Sequence, residues 1–92
     1  MTYKISYHHE ILQDIVRIPQ NIKERIRRSI EERLIKDPYH FGLPLRKSLQ
    51  GYRKLRVGDY RVIYKIIKEE IIILKIGHRK NVYNQADDRD VA

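Results

Sequence analysis

The 92-residue sequence predicts an α+β fold with two layers. An N-terminal strand is followed by a two-helix hairpin, which packs on one face of a four- to five-stranded, mainly antiparallel sheet. Two observations predict it. The apolar periodicity changes from two to near four and back to two along the chain. The second half is also divided by short turn signals at Gln50-Gly51, Gly58-Asp59 and Lys68-Glu69.

Each element follows in order. Thr2 to Tyr7 alternates, with Tyr3, Ile5 and Tyr7 on one face, and reads as a short strand. From Glu10 the spacing becomes helical, with Ile11, Leu12, Ile15, Val16 and Ile18 forming a stripe. Pro19 ends this helix or opens the next. In the second helix Ile22, Ile26, Ile30 and Leu34 recur every four residues. Glu24 with Arg28 and Glu32 with Lys36 are spaced to pair, at about 0.2–0.5 kcal/mol each. Arg25, Arg27 and Arg28 read either as a stripe for RNA or as a solvated face laced with ion pairs. The interleaved acids favour the second reading. Asp37-Pro38 stops the helix, and Tyr39 to Pro44 is expected as a loop. Strands are expected at Leu45–Leu49, Tyr52–Val57, Tyr60–Ile67 and Glu70–Gly77. The polar tail after Asn81 forms one helical turn or none.

Composition narrows the function. A chain this short buries roughly 60–65% of its unfolded surface, so one compact core is expected. Residues 1–92 are read as a single domain: a strand and helical hairpin over 1–43, a basic sheet over 44–83 and a polar tail over 84–92. Cysteine is absent, which excludes disulfides, thiolate metal sites and cysteine nucleophiles. The N-terminus does not read as a signal peptide, and the longest apolar run, Ile71 to Leu74, is far too short to span a bilayer. A cytoplasmic protein without a membrane partner is expected. His8, His9 and His40 show no metal-ligand spacing, and no metal site is assigned.

The net charge of +8 is unevenly placed. Residues 44–84 carry eleven Lys/Arg against three Asp/Glu, while residues 1–43 carry eight against six. Strand parity aims Lys54, Arg56, Arg61, Lys65 and Lys75 at the face away from the helices, with Arg79 beyond them if the strand continues. Leu55, Val57, Tyr60, Val62, Tyr64, Ile66, Ile72, Leu74 and Ile76 take the helix side. The far face is expected to be open. Like charges crowded there repel one another, and a polyanion relieves that cost.

The run from Gly51 to Tyr64, GYRKLRVGDYRVIY, and the segment Ile76 to Tyr83, IGHRKNVY, resemble the two signatures of the RelE/ParE toxin superfamily. The resemblance covers nearly the whole chain. It implies a RelE-like fold and the toxin of a type II toxin–antitoxin system. It also implies an endoribonuclease that cleaves mRNA on the ribosome without metal or cofactor, held inactive by a RelB-like antitoxin. Carried over by motif, the working residues are Lys54, Arg61, Arg79 and Tyr83, with His78 as an alternative acid. Arg53, Arg56, Lys65, Lys75 and Lys80 are candidate RNA contacts. Tyr52 stands where well-studied members carry a second lysine, and His78 is a second departure from them. Two other functions remain open: a ParE-like inhibitor of DNA gyrase, and a non-catalytic RNA-binding module.

The residue types suit such chemistry. Cleavage needs a base for the 2′-OH proton, charge stabilisation on the phosphorane and an acid for the departing 5′-oxygen. Crowded cations disfavour one more positive charge, which is the condition a lysine base needs. Arg61 offers a planar fork to phosphate, Arg79 stabilises charge or donates a proton, and Tyr83 stacks on a base or orients a phosphate.

Overall fold

The computed structural model describes residues 3–84 and 86–89. Strand β1 (Lys4–Tyr7) leads to helices α1 (Ile11–Ile15) and α2 (Gln20–Ser29). Pro19 opens α2 rather than closing α1. The helix then widens into a π turn over Ile30–Leu34, where the Ile35 N–H donates to the Ile30 carbonyl at 3.2 Å. Thr2, placed in the first strand by periodicity, lies outside the described residues.

The segment expected as a loop after Asp37 holds a short helix, α3 (Pro38–Phe41). Pro38 occupies its first turn, and the Asp37 carboxylate accepts the His40 N–H at 3.1 Å. The strand expected at Leu45–Leu49 is also displaced. Strand β2 is Leu43–Pro44, and Lys47–Leu49 forms a 3₁₀ turn. Leu45 and Leu49 are four apart, a spacing that suits a helical turn as well as a strand.

Three long strands follow: β3 (Arg53–Val57), β4 (Tyr60–Ile67) and β5 (Glu70–His78). The sheet order is β1-β5-β4-β3-β2, with β1 parallel to β5 and the other pairs antiparallel. Gly58 supports the β3–β4 turn at φ 60°.

The helices cover one face. Ile11, Ile18, Ile26, Ile30 and Leu34 pack against Leu55, Val57, Val62, Tyr64, Ile71, Ile73 and Ile76. Parity misassigns part of β5. Ile63 pairs with Lys75 and Tyr64 with Ile73, leaving Leu74 as a bulge. The extra residue reverses the alternation, so Ile71 and Ile73 face the helices and Leu74 faces away.

The far face is not open as expected. Leu49, Tyr52, Ile63, Leu74, Val82 and Ala86 form a second buried cluster there, edged by Leu45 and Tyr83. The tail supplies its cover through Val82 and the 3₁₀ turn Ala86–Arg89. Val82 and Ala86 are also four apart, an apolar pair within a polar segment.

Candidate active site

The candidate residues lie around the far-face cluster. Register sets Lys54, Ile63 and Lys75 in one row across β3, β4 and β5, and Arg56, Arg61 and Gly77 in the next. Rows two residues apart along a strand are separated by about 7 Å.

Lys54 is half-buried, and its Nζ lies 6.0 Å from the centre of the Tyr83 ring. The turn after β5 delivers that ring. The Asn81 and Val82 N–H groups both donate to the His78 carbonyl at 2.9 Å, folding the chain back on the strand. The returning chain packs directly on the strand, since a Cβ at Gly77 would touch Val82 at van der Waals distance, 3.4 Å. Lys75 Nζ donates to the Asn84 carbonyl, so this lysine holds the tail beside Tyr83.

Arg61 and Arg79 meet at the β3–β4 turn. One Arg61 nitrogen donates to the Gly58 carbonyl at 2.9 Å and to the Tyr60 carbonyl at 2.8 Å. The Arg79 N–H donates to the Asp59 carbonyl at 2.8 Å, and its Nε is 3.9 Å from the Asp59 carboxylate. Asp59 thus sits beside Arg79 rather than Arg61. Arg56 is exposed and directly opposite Arg61 across the strands. Lys65 lies 5.2 Å from the Tyr52 ring, on the far side of the Lys54 row.

Three candidates are placed elsewhere. Arg53 takes the helix side of β3 and donates to the Tyr39 and Gly42 carbonyls at 2.8 Å each, so its guanidinium ties α3 to the sheet. His78 pairs with Tyr60, the rings edge-on at 5.6 Å, which sets it across the sheet from Lys54. Its Nδ1 accepts the Lys80 N–H at 3.2 Å, and the Lys80 side chain is exposed.

Periodicity gave no notice of Asp14 and Arg89. Strand β1 ends opposite Ile73, leaving the edge of β5 without a partner beyond it. The Asp14 carboxylate accepts the Ile76 N–H at 3.1 Å, and Arg89 donates to the Leu74 carbonyl at 3.4 Å. The two side chains also pair with each other at 2.6 and 2.9 Å, and Arg89 reaches Glu10 at 3.4 Å. The tail is therefore clamped to α1 and β5 by charge.

Among the described residues, His8, His9 and Glu10 bring ligand-type atoms within 4.8 Å of one another, although the sequence showed no such spacing. Their present contacts are not those of a metal centre. The rings stack at 4.3 Å, His8 Nδ1 accepts the Glu10 N–H at 3.1 Å, and Glu10 faces Arg89. Burial holds the His8 imidazole below its usual pKa, with His9 and Arg89 acting in the same direction.

Residues 5–83 match the family described as ParE toxin of type II toxin–antitoxin system, parDE. The chain belongs to this RelE/ParE family of toxins and is of the RelE type. Toxin RelE of Mycobacterium tuberculosis is 33% identical over 83 residues, covering 88% of this chain and 86% of the relative. The mRNA interferase toxin RelE of Escherichia coli K12 is 24% identical over 94 residues, covering 97% and 98%. The toxin–antitoxin complex RelBE2 from Mycobacterium tuberculosis contains a chain that superposes with a TM-score of 0.80 at 27% identity, covering 86% of this chain and all of that one. No helix among the described residues is long and apolar enough to cross a membrane.

Proposed function

We propose that this toxin is an endoribonuclease that cleaves mRNA on the ribosome and so stops translation. The observation that carries the reading is Lys54 set against Tyr83, with Arg61 one row away and Arg79 a row beyond it, beside the β3–β4 turn. The E. coli relative named as an mRNA interferase supports the same reaction. We read the whole chain as one catalytic domain.

In this reading Lys54 takes the 2′-OH proton, and the freed oxygen attacks phosphorus. Arg61 turns its remaining donors to the phosphate, and Arg79 stabilises charge on the phosphorane. The 5′-oxygen leaves with a proton from the Arg79 side of the site. Position favours Arg79 over His78 for that end, because His78 occupies the opposite face. Tyr83 stacks on a base or orients the phosphate. A RelB-like antitoxin with an acidic or amphipathic segment is the expected inhibitor, consistent with the toxin–antitoxin complex solved for a relative.

The test maps mRNA ends on translating ribosomes after brief induction. Wild type is expected to cut mRNA on ribosomes and leave naked RNA largely intact. Lys54→Ala or Arg79→Ala is expected to slow cleavage by about 10²–10⁴-fold. Full toxicity in the double variant would refute the assignment. DNA-damage signalling with translation intact would favour gyrase inhibition instead.

A further inference from the structure

We propose that the cleft between α2, the π turn and the end of β3 is a second site for the phosphodiester backbone of RNA, separate from the cleaving residues. This rests on the RNA reading above and extends it to a docking surface. The cleft has a volume of about 200 Å³ and is lined by Arg25, Arg28, Ser29, Glu32, Arg33, Arg56 and Val57. Four arginines thus face one glutamate.

The interleaved acids had argued against such a site; the structure leaves Glu32 in the cleft but turns Glu24 and Glu31 away from it. Arg27 pairs with Glu24 and, at 2.8 Å, with Glu31, so both acids serve a different flank of the helix. Glu24 feels Arg28 only as a weaker, longer-range attraction. The expected pair of Glu32 with Lys36 is not among the ion pairs formed, and the π turn between them alters the helical spacing that would bring them together. Among the described residues Arg25, Arg28, Arg33 and Arg56 form no salt bridge.

The shape favours a phosphate over an acidic protein. Guanidinium forks match phosphate oxygens, and the lining offers only Val57 as an apolar anchor. The cleft is also joined to the active site. The Arg25 guanidinium rests on the β3–β4 turn, 3.1 Å from where a Cβ of Gly58 would lie, while Arg61 holds the Gly58 carbonyl from its own side. Arg56 and Arg61 are cross-strand neighbours. A backbone lying along the cleft therefore runs toward the cleavage residues past a shared turn.

The test uses 70S ribosomes as the probe, with binding measured by cosedimentation across a salt series. The triple variant Arg25→Ala/Arg28→Ala/Arg33→Ala is compared with Lys4→Ala/Arg17→Ala/Lys36→Ala, which removes the same charge from other surfaces. The cleft variant is expected to bind about tenfold more weakly. Its log–log salt slope should be shallower by about 2, the value for three lost phosphate contacts at roughly 0.7 each. In cleavage assays its KM rises while kcat stays at the wild-type value. The control set is expected to change affinity less than about twofold. Equal losses in both sets, or none in the cleft set, would overturn the proposal. So would a loss of antitoxin binding with ribosome binding intact. Should the triple variant not fold, Arg28→Ala and Arg33→Ala singly carry the same comparison. Because binding is read without turnover, a wild type that binds but never cuts would refute the catalytic reading alone.

Discussion

At Gly42 the packing leaves no space for a side chain. A Cβ would lie 1.7 Å from the Tyr64 hydroxyl and 3.0 Å from the Lys54 carbonyl. That hydroxyl donates to the Pro38 carbonyl at 2.6 Å, and burial pushes the Tyr64 phenol above its ordinary pKa. Gly42→Ala should displace a buried ring and break its hydrogen bond, at about 2–4 kcal/mol, measured by urea unfolding. His8 gives a pH prediction of defined sign. Its folded pKa lies below the unfolded value near 6.5, so the unfolded chain binds the proton more readily. The contribution to stability is complete above that value and is lost as pH falls through the folded pKa. Tm should drop on acidification below pH 6.5, and His8→Gln should reduce that dependence. Single residues were the least legible scale in the sequence. Motif resemblance places Lys54 and Tyr83, which the fold brings within 6.0 Å, but nothing local distinguishes Arg53, which binds carbonyls, from its neighbour Lys54.

Among the elements, the bulge at Leu74 and the clamped tail account for most departures from expectation. Alternation is a reliable guide only while pairing is regular. It assigns β3 and β4 correctly and fails in β5, where one unpaired residue reverses every side chain before it. The tail was legible only as polar, since its partners Asp14 and Glu10 lie about 75 residues away in sequence. The Asp14 and Arg89 side chains are 8% and 13% exposed, so the clamp is largely shielded from water. Arg89→Ala is expected to destabilise by about 2–3 kcal/mol, because it leaves the Asp14 carboxylate short of its partner. Amide hydrogen exchange should then rise at residues 79–84, and the Lys54 side-chain methylene resonances should lose their ring-current shift from Tyr83. An unchanged Lys54 environment would show that Tyr83 is held by Val82 and Lys75 alone.

Across the whole molecule, the fold class and the basic second half were plain from the sequence, since both are sums over many residues. The second cluster was not, because its members come from four separate segments around Leu49, Ile63, Leu74 and Val82. The sheet thus has apolar packing on both faces, and its cations occupy rows and rims rather than an open plain. The order β1-β5-β4-β3-β2 has a further consequence. The first strand pairs with the last long one, Lys4 opposite Glu70, so one edge of the sheet joins residues more than about sixty positions apart. During synthesis β1 therefore stays unpaired until the chain has been made through β5. A chain cut short before residue 70 has no partner for its opening strand.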